Sequence, residues 1–167
     1  SCALITSGKF SIENQPIVDS LAQTSLIIHI PQAIKIEVVD DGLQAGHQDA
    51  LTIKRQIDHG AIRVEPILAP ASEVTAILDD YGVRKGDRDF IYLAHQIPYD
   101  YIVTDDFLLL LICYRFGLPV KMFPDLIELL VKQSMWTIDQ GRKALQAIGG
   151  RYKRGFIEHS LRRINKP

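Results

Sequence analysis

Apolar side chains recur in short blocks along this chain, in places with the two-residue period of a strand and elsewhere with the 3.6-residue period of a helix. Leu26-Ile27-Ile28-His29-Ile30, ended by Pro31, predicts a short buried strand. Pro31 suits a helix's first turn. From Gln32 the positions Ala33, Ile34, Ile36, Val38 and Val39 predict a helix that stops at Gly42 and sets Glu37 near the core edge. A helix from about His47 to Asp58, closed by Gly60, precedes a strand from Ala61 to Ile67 that alternates apolar and polar residues. Ser72 heads a helix through Val74, Ile77 and Leu78, punctuated by Gly82. Another starts near Gly86 with Asp87 and Asp89 in its first turn, where acids complement the positive helix end.

Tyr101-Ile102-Val103-Thr104 predicts a third strand, halted by Asp105-Asp106, and Phe107 to Phe116 a helix closed by Gly117. Leu118 to Lys121 is a fourth short strand, and Pro119 suggests that it lies at an edge. Helices come next at about Asp125–Lys132, Ile138–Ile148 and Phe156–Ile164, with Gly149-Gly150 as the hinge between the last two. Strands alternating with helices predict an α/β fold, a parallel sheet wrapped by helices. The expected organisation is a domain over 1–135 and a basic helical extension over 136–167.

Composition narrows this picture. A chain of 167 residues with 47% hydrophobic and 23% charged residues suits one compact domain with a real core. The longest apolar stretch, Phe107 to Cys113, is far short of the roughly 20 residues that cross a bilayer. The opening residues lack the basic and apolar blocks of a secretion leader, so a cytoplasmic location is expected. Cys2 and Cys113 are expected to be reduced thiols. Charge is lopsided: residues 1–141 carry 11 basic and 19 acidic side chains, whereas residues 142–167 carry 8 basic ones and the single acid Glu158. A basic tail on an acidic body gives nucleic acid a local landing surface, or simply a solvated helix face.

Active sites of open parallel sheets form beyond the carboxyl ends of the strands. Asp105 and Asp106 lie past one such end, Asp89 starts the helix before that strand, and Glu37 comes after another strand. Carboxylates that converge repel one another unless a hard cation neutralises them, and Mg²⁺ or Mn²⁺ then suits phosphodiester hydrolysis. The alternative is that Asp105-Asp106 is an ordinary helix cap and that Asp87 and Asp89 only complement a helix end. Thr104 is placed to orient Asp106 through its hydroxyl. The five histidines show no His-x-x-x-His spacing and no glycine-rich phosphate loop is present, which disfavours a zinc hydrolase, a nucleotide kinase and a dehydrogenase. Tyr152, Lys153, Arg154 and Phe156 gather aromatic and basic groups that could stack on and neutralise RNA, or pack onto the domain.

Three segments resemble the PIN-domain family of metal-dependent nucleases, and the likeness spans nearly the whole chain. Ile30-Pro31-Gln32-Ala33-Ile34-Lys35-Ile36-Glu37-Val38 is similar to the family's strand, proline and helix with its acidic Glu. Gly86-Asp87-Arg88-Asp89-Phe90-Ile91-Tyr92-Leu93-Ala94 resembles the helix whose leading acid precedes an apolar run. Ile102-Val103-Thr104-Asp105-Asp106-Phe107-Leu108, with Phe116-Gly117-Leu118-Pro119-Val120, resembles the family's Thr-x-Asp turn with its next helix and strand.

The resemblance implies a three-layer α/β/α fold whose parallel sheet has about four or five strands. It also implies an endoribonuclease in which Glu37, Asp89 and Asp106 hold Mg²⁺ or Mn²⁺, Asp105 is a variable neighbour, and Thr104 supports. Arg151, Lys153 and Arg154 would hold the RNA. Such a chain is expected to form a homodimer, and many family members are toxins held in check by an antitoxin protein. The family's first strand ends in an Asp just before a helix like Cys2-Ala3-Leu4-Ile5-Thr6, which would set that acid ahead of Ser1. Ile17-Val18-Asp19-Ser20 looks like such a strand end, but only five residues separate Ser20 from Leu26, too few for the intervening helix. The competing reading is a catalytically inactive PIN-like module that binds RNA or a protein partner.

Overall fold

A computed structural model describes residues 2–68, 72–83 and 85–165. The chain opens with helix α1 (Cys2–Lys9), a hairpin of β1 (Ser11–Ile12) and β2 (Gln15–Pro16), and helix α2 (Ile17–Ala22). The hairpin turns through Glu13 and Asn14, with φ of 52° and 69°. Two successive left-handed residues match the twist of a two-residue hairpin, and Asn tolerates that backbone well. Two residues per strand are too few for an alternating pattern, so the hairpin leaves no periodic sign in the sequence. Ile17-Val18-Asp19-Ser20 is helical, and Asp19 accepts hydrogen bonds from Arg55 at 2.5 Å and Gln56 at 2.6 Å.

Next come β3 (Ile28–Pro31) and a continuous helix made of α3 (Gln32–Lys35), a π turn over Ile36–Asp40 and α4 (Asp41–Gln44). This helix runs through Gly42 instead of stopping there. A Cβ on Gly42 would meet the Ala50 Cβ at 2.8 Å, so the glycine serves close approach of the next helix, α5 (Gln48–Asp58). Strand β4 (Ile62–Glu65) pairs parallel with β3, Ile28 opposite Ile62 and Pro31 opposite Glu65. Across that ladder His29 Nδ1 and Glu65 Oε1 lie 2.8 Å apart.

Helices α6 (Ser72–Asp80) and α7 (Lys85–Gln96) lead into β5 (Ile102–Val103), α8 (Phe107–Arg115) and β6 (Val120–Lys121). The residues just ahead of Ser72 lie outside those described, and with them the expected cap of α6. Strands β5 and β6 are parallel, with Ile102 opposite Val120. Gly117, at φ 67°, closes α8 in the left-handed conformation that glycine adopts at least cost. Helices α9 (Phe123–Lys132), α10 (Ile138–Ile148) and α11 (Arg154–Ile164) complete the chain, with a 3₁₀ turn over Gly149–Arg151 at the expected hinge.

The expected parallel sheet of about four or five strands is absent among the described residues: β3–β4 and β5–β6 form two separate parallel pairs. A cleft lined by β3 on one side and β5 on the other lies between the two pairs. The core divides along the same line. Ile30, Ile34, Val38, Val39, Ile53 and Ile62 pack around the first pair, and Leu78, Ile91, Ile102, Leu109, Ile112 and Cys113 around the second. A third cluster joins Ile12, Ile17 and Phe123 to Ala144, Leu145, Ile148, Ile157 and Ile164, so α10 and α11 share apolar burial with the start of the chain.

The apolar helix α8 is only half interior. Leu109, Ile112 and Cys113 are buried, whereas Phe107 is 72% and Tyr114 66% exposed. Burial raises the Cys113 thiol to about 11, which keeps it protonated and inert at neutral pH. No described helix is long and apolar enough to cross a membrane.

Helices α9 and α10 approach closely at Gly141, where an added Cβ would meet the Val131 Cγ2 at 2.4 Å and sit 3.7 Å from Ile164. Valine at that position would drive a stiff branched side chain into a packed contact, and overpacking of this kind costs about 1–3 kcal/mol. Gly141→Val should therefore lower the urea midpoint without changing the slope of the transition.

Candidate functional site

The polar groups beyond the carboxyl end of β5 form one connected set. Thr104 is buried, and its backbone N–H donates to the Lys121 carbonyl at 3.0 Å, continuing the ladder with β6. Its hydroxyl accepts from the Asp106 backbone N–H at 3.2 Å, so Thr104 positions Asp106 through the main chain. Asp106 is the N-cap of α8: its Oδ1 accepts from the Leu109 backbone N–H at 2.8 Å, satisfying a helix donor that would otherwise lack a partner. Asp106 is exposed and its Oδ2 accepts no hydrogen bond among the described residues.

Asp105 faces the other way. Its Oδ1 accepts from the Phe123 backbone N–H at 3.1 Å, and its Oδ2 from the Tyr152 hydroxyl at 2.6 Å. One carboxylate therefore joins the end of β5 to the start of α9 and to the segment ahead of α11. Burial, and then the hydrogen bond to and charge of Asp105, raise the Tyr152 hydroxyl well above the usual phenol range. Thr6 of α1 lies beside the same hydroxyl.

Glu37 is exposed, within the π turn that comes after β3. Lys35 Nζ and Asp40 Oδ1 are 2.7 Å apart, a pair five residues apart that matches the wider winding. A Cβ built on Gly86 would lie 3.8 Å from Glu37 Oε2, so this carboxylate stands against the first turn of α7. Asp87 is half-buried on that first turn, and Asp89, also half-buried, begins the next one, a step later than the sequence predicts.

The structure thus brings Glu37 to the helix that carries Asp89, and sets Asp106 at the head of α8. It does not gather the three around one point: among the described residues no group of three or more His, Cys, Asp or Glu side chains is placed to hold a metal ion. The donors are hard oxygens of the kind Mg²⁺ and Mn²⁺ take, but their arrangement does not fit an ion as it stands.

Of the basic candidates, Arg151 ends the 3₁₀ turn and Lys153 comes directly after Tyr152, so the residue clasped by Asp105 has a basic neighbour on each side. Arg154 is exposed and pairs with Glu158 one helical turn on. Tyr152 packs inward while Phe156 remains 51% exposed near these charges. Reading from sequence missed the Tyr152 clasp, since nothing local links positions 47 residues apart. It also missed the π turn, for which the i,i+5 spacing of Lys35 and Asp40 is the available sign.

A family model described as a PIN domain matches residues 11–166. No curated protein and no solved structure matches the chain.

Tyr152→Phe removes the donor to a half-buried carboxylate and should cost about 1–3 kcal/mol in chemical denaturation. The phenol is raised in the folded state, so its contribution is full below the unfolded value of about 10 and is lost as pH rises through the higher folded value. The wild type should accordingly lose stability above about pH 10, and Tyr152→Phe should lose less over that window. Denaturation midpoints of the two proteins across alkaline pH read the difference.

Proposed function

The chain belongs to the PIN-domain family, and on that premise we propose that it is an endoribonuclease requiring Mg²⁺ or Mn²⁺, with Glu37, Asp89 and Asp106 as the acids that serve the cation. The observation that carries this reading is the placement of the Glu37 carboxylate against the first turn of α7, beside the helix that bears Asp89. Asp106 supports it, since it stands just past the carboxyl end of a parallel strand with one oxygen open. Asp105 is the variable neighbour with a structural task, because both its oxygens are engaged.

Glu37, Asp89 and Asp106 would be the residues to hold a divalent cation, which would supply an acidified water and charge to offset the phosphate. The side chains present do the rest. Open carboxylates at Glu37 and Asp106 repel a bare phosphodiester, so RNA approaches this edge only with compensating positive charge. Arg151, Lys153 and Arg154 supply such charge from the segment clasped at Asp105, and exposed Phe156 offers a stacking face. The exposed Phe107, Leu108, Leu111 and Tyr114 of α8 give a homodimer an apolar face. A toxin role would pair the chain with an antitoxin that masks this edge.

A second reading, an RNA-binding PIN-like module that does not cut, is favoured by the failure of the acids to converge. Cleavage of a fluorescent single-stranded RNA with added Mn²⁺ separates the two. Asp106→Asn keeps a competent N-cap and should leave the melting temperature nearly unchanged while lowering cleavage by about 100-fold or more, as expected for a lost electrostatic stabiliser. Glu37→Gln should do the same. Arg151→Glu with Lys153→Glu should weaken RNA binding across all sequences and reduce its salt dependence. Cleavage unchanged in Asp106→Asn would remove the site assignment, and binding without cleavage by the wild type would establish the second reading.

A further inference from the structure

Two basic side chains beside the open acid of the site take no part in holding the fold. Arg151 and Lys153 are exposed and enter no ion pair among the described residues, whereas Arg154 is offset by Glu158 and Arg163 by Glu128. Tyr152 between them has an extended backbone, with φ −118° and ψ 153°. Successive side chains of an extended chain point to opposite sides. Tyr152 turns in against the core, so its two neighbours turn outward. Their Cα atoms are then about 7 Å apart, close to the spacing of successive phosphates along an extended nucleic-acid strand.

Little besides the tyrosine fixes where this pair stands. The 3₁₀ turn ahead of it, Gly149–Arg151, buries no side chain, and a Cβ added at Gly149 or Gly150 would have nothing within 4 Å. The Tyr152 hydroxyl donates to Asp105 at 2.6 Å, and Asp105 shares a peptide bond with Asp106, whose Oδ2 accepts no hydrogen bond among the described residues. Burial and the Asp105 hydrogen bond raise that hydroxyl while the Arg151 charge draws it down, so the guanidinium lies within electrostatic reach of the clasp. Two cations at phosphate spacing are thus tied, through one hydrogen bond, to the acid that faces solvent. We propose that Tyr152 is a positioning residue for RNA, holding Arg151 and Lys153 on two successive phosphates next to the one that Asp106 serves. The site then recognises a short length of backbone, about three or four nucleotides, and is indifferent to the bases, since phosphate contacts carry no sequence information. This inference rests on the ribonuclease reading of the edge and adds to it a length and a register.

Oligouridylates from dinucleotide to octanucleotide, titrated into the full chain in EDTA at low salt and followed by the Lys153 and Leu109 amide shifts, test this without cleavage. Affinity should rise up to the tetranucleotide and then level off, with a salt slope of about −1.4, the value for two phosphates neutralised on a single strand. Tyr152→Phe keeps the ring but frees the segment. It should weaken tetranucleotide binding by about tenfold, the cost of ordering one residue anew on binding. Octanucleotide binding should fall much less, because a longer strand offers a wandering pair of charges several equivalent positions. A general loss of folded protein would instead lower every length alike. Arg151→Gln with Lys153→Gln leaves the clasp intact and should flatten the length series, and this variant carries the test if Tyr152→Phe does not fold. Wild-type affinity that keeps climbing to the octanucleotide, equal losses at every length in Tyr152→Phe, or a length series unchanged in the double variant would each overturn the inference. Cleavage with Mn²⁺ is read separately: a chain that shows the plateau and never cuts loses only the nuclease reading, and one that cuts without the plateau loses only this inference.

Discussion

The Asp105 carboxylate is the constraint on which this end of the molecule depends. One oxygen accepts from the first turn of α9 and the other from Tyr152, so a single half-buried charge fixes the end of β5, a helix start and the basic segment relative to one another. Its capacity is used up, which is why neighbouring Asp106 is the acid left facing solvent. Two adjacent aspartates thus divide the work: one holds the architecture, the other caps α8 and presents an open oxygen. A carboxylate in such a clasp cannot be removed without taking an acceptor from both an amide and a phenol, which costs more than the loss of an exposed ion pair.

The C-terminal helices are secured by a second buried acid. Glu128 on α9 lies almost wholly inside, with Oε2 2.7 Å from Arg163 Nε and 3.7 Å from Lys132 Nζ. Its Oε1 is buried without a hydrogen-bond partner among the described residues. The pair joins α9 to α11 across the apolar contact of Ile127, Ala144 and Ile164. The positive charge of the tail is therefore partly spent on holding the tail in place: Arg163 serves Glu128, Arg154 serves Glu158, and Lys143 serves Glu13 and Asp139. Arg151 and Lys153 are in none of these ion pairs, and they flank the anchored Tyr152.

Much of the element order was legible because it arises from local chemistry. Gly82 and Gly117 in left-handed turns and the apolar spacing of α5 and α10 each need only a few neighbouring residues to be read, whereas Pro31, expected in a helix's first turn, ends β3 as the extended cap ahead of α3. Gly42 shows where that reasoning fails: a glycine can end a helix or admit another one, and the Ala50 methyl that decides between them comes from a different helix. The number of strands in the sheet was not legible either, since whether β3 and β5 pair depends on their spacing in the folded chain and not on either run's own residues. The acids of the site were readable by type and order. Their partners, Tyr152 for Asp105 and Leu109 for Asp106, emerge only from the folded arrangement.

The π turn after β3 has a consequence for the direction in which the chain aims its charge. An α-helix advances about 100° per residue, so one extra residue in a turn shifts the phase of everything on one side of it by nearly a third of a revolution relative to the other. Val38 and Val39 face inward from the irregular turn, while Glu37 in the same turn looks toward Gly86. The irregularity works as a phase shifter. It lets one continuous rod keep its greasy side against β4 and α5 and still swing a single carboxylate across to α7, an aim that regular winding from the same proline would miss.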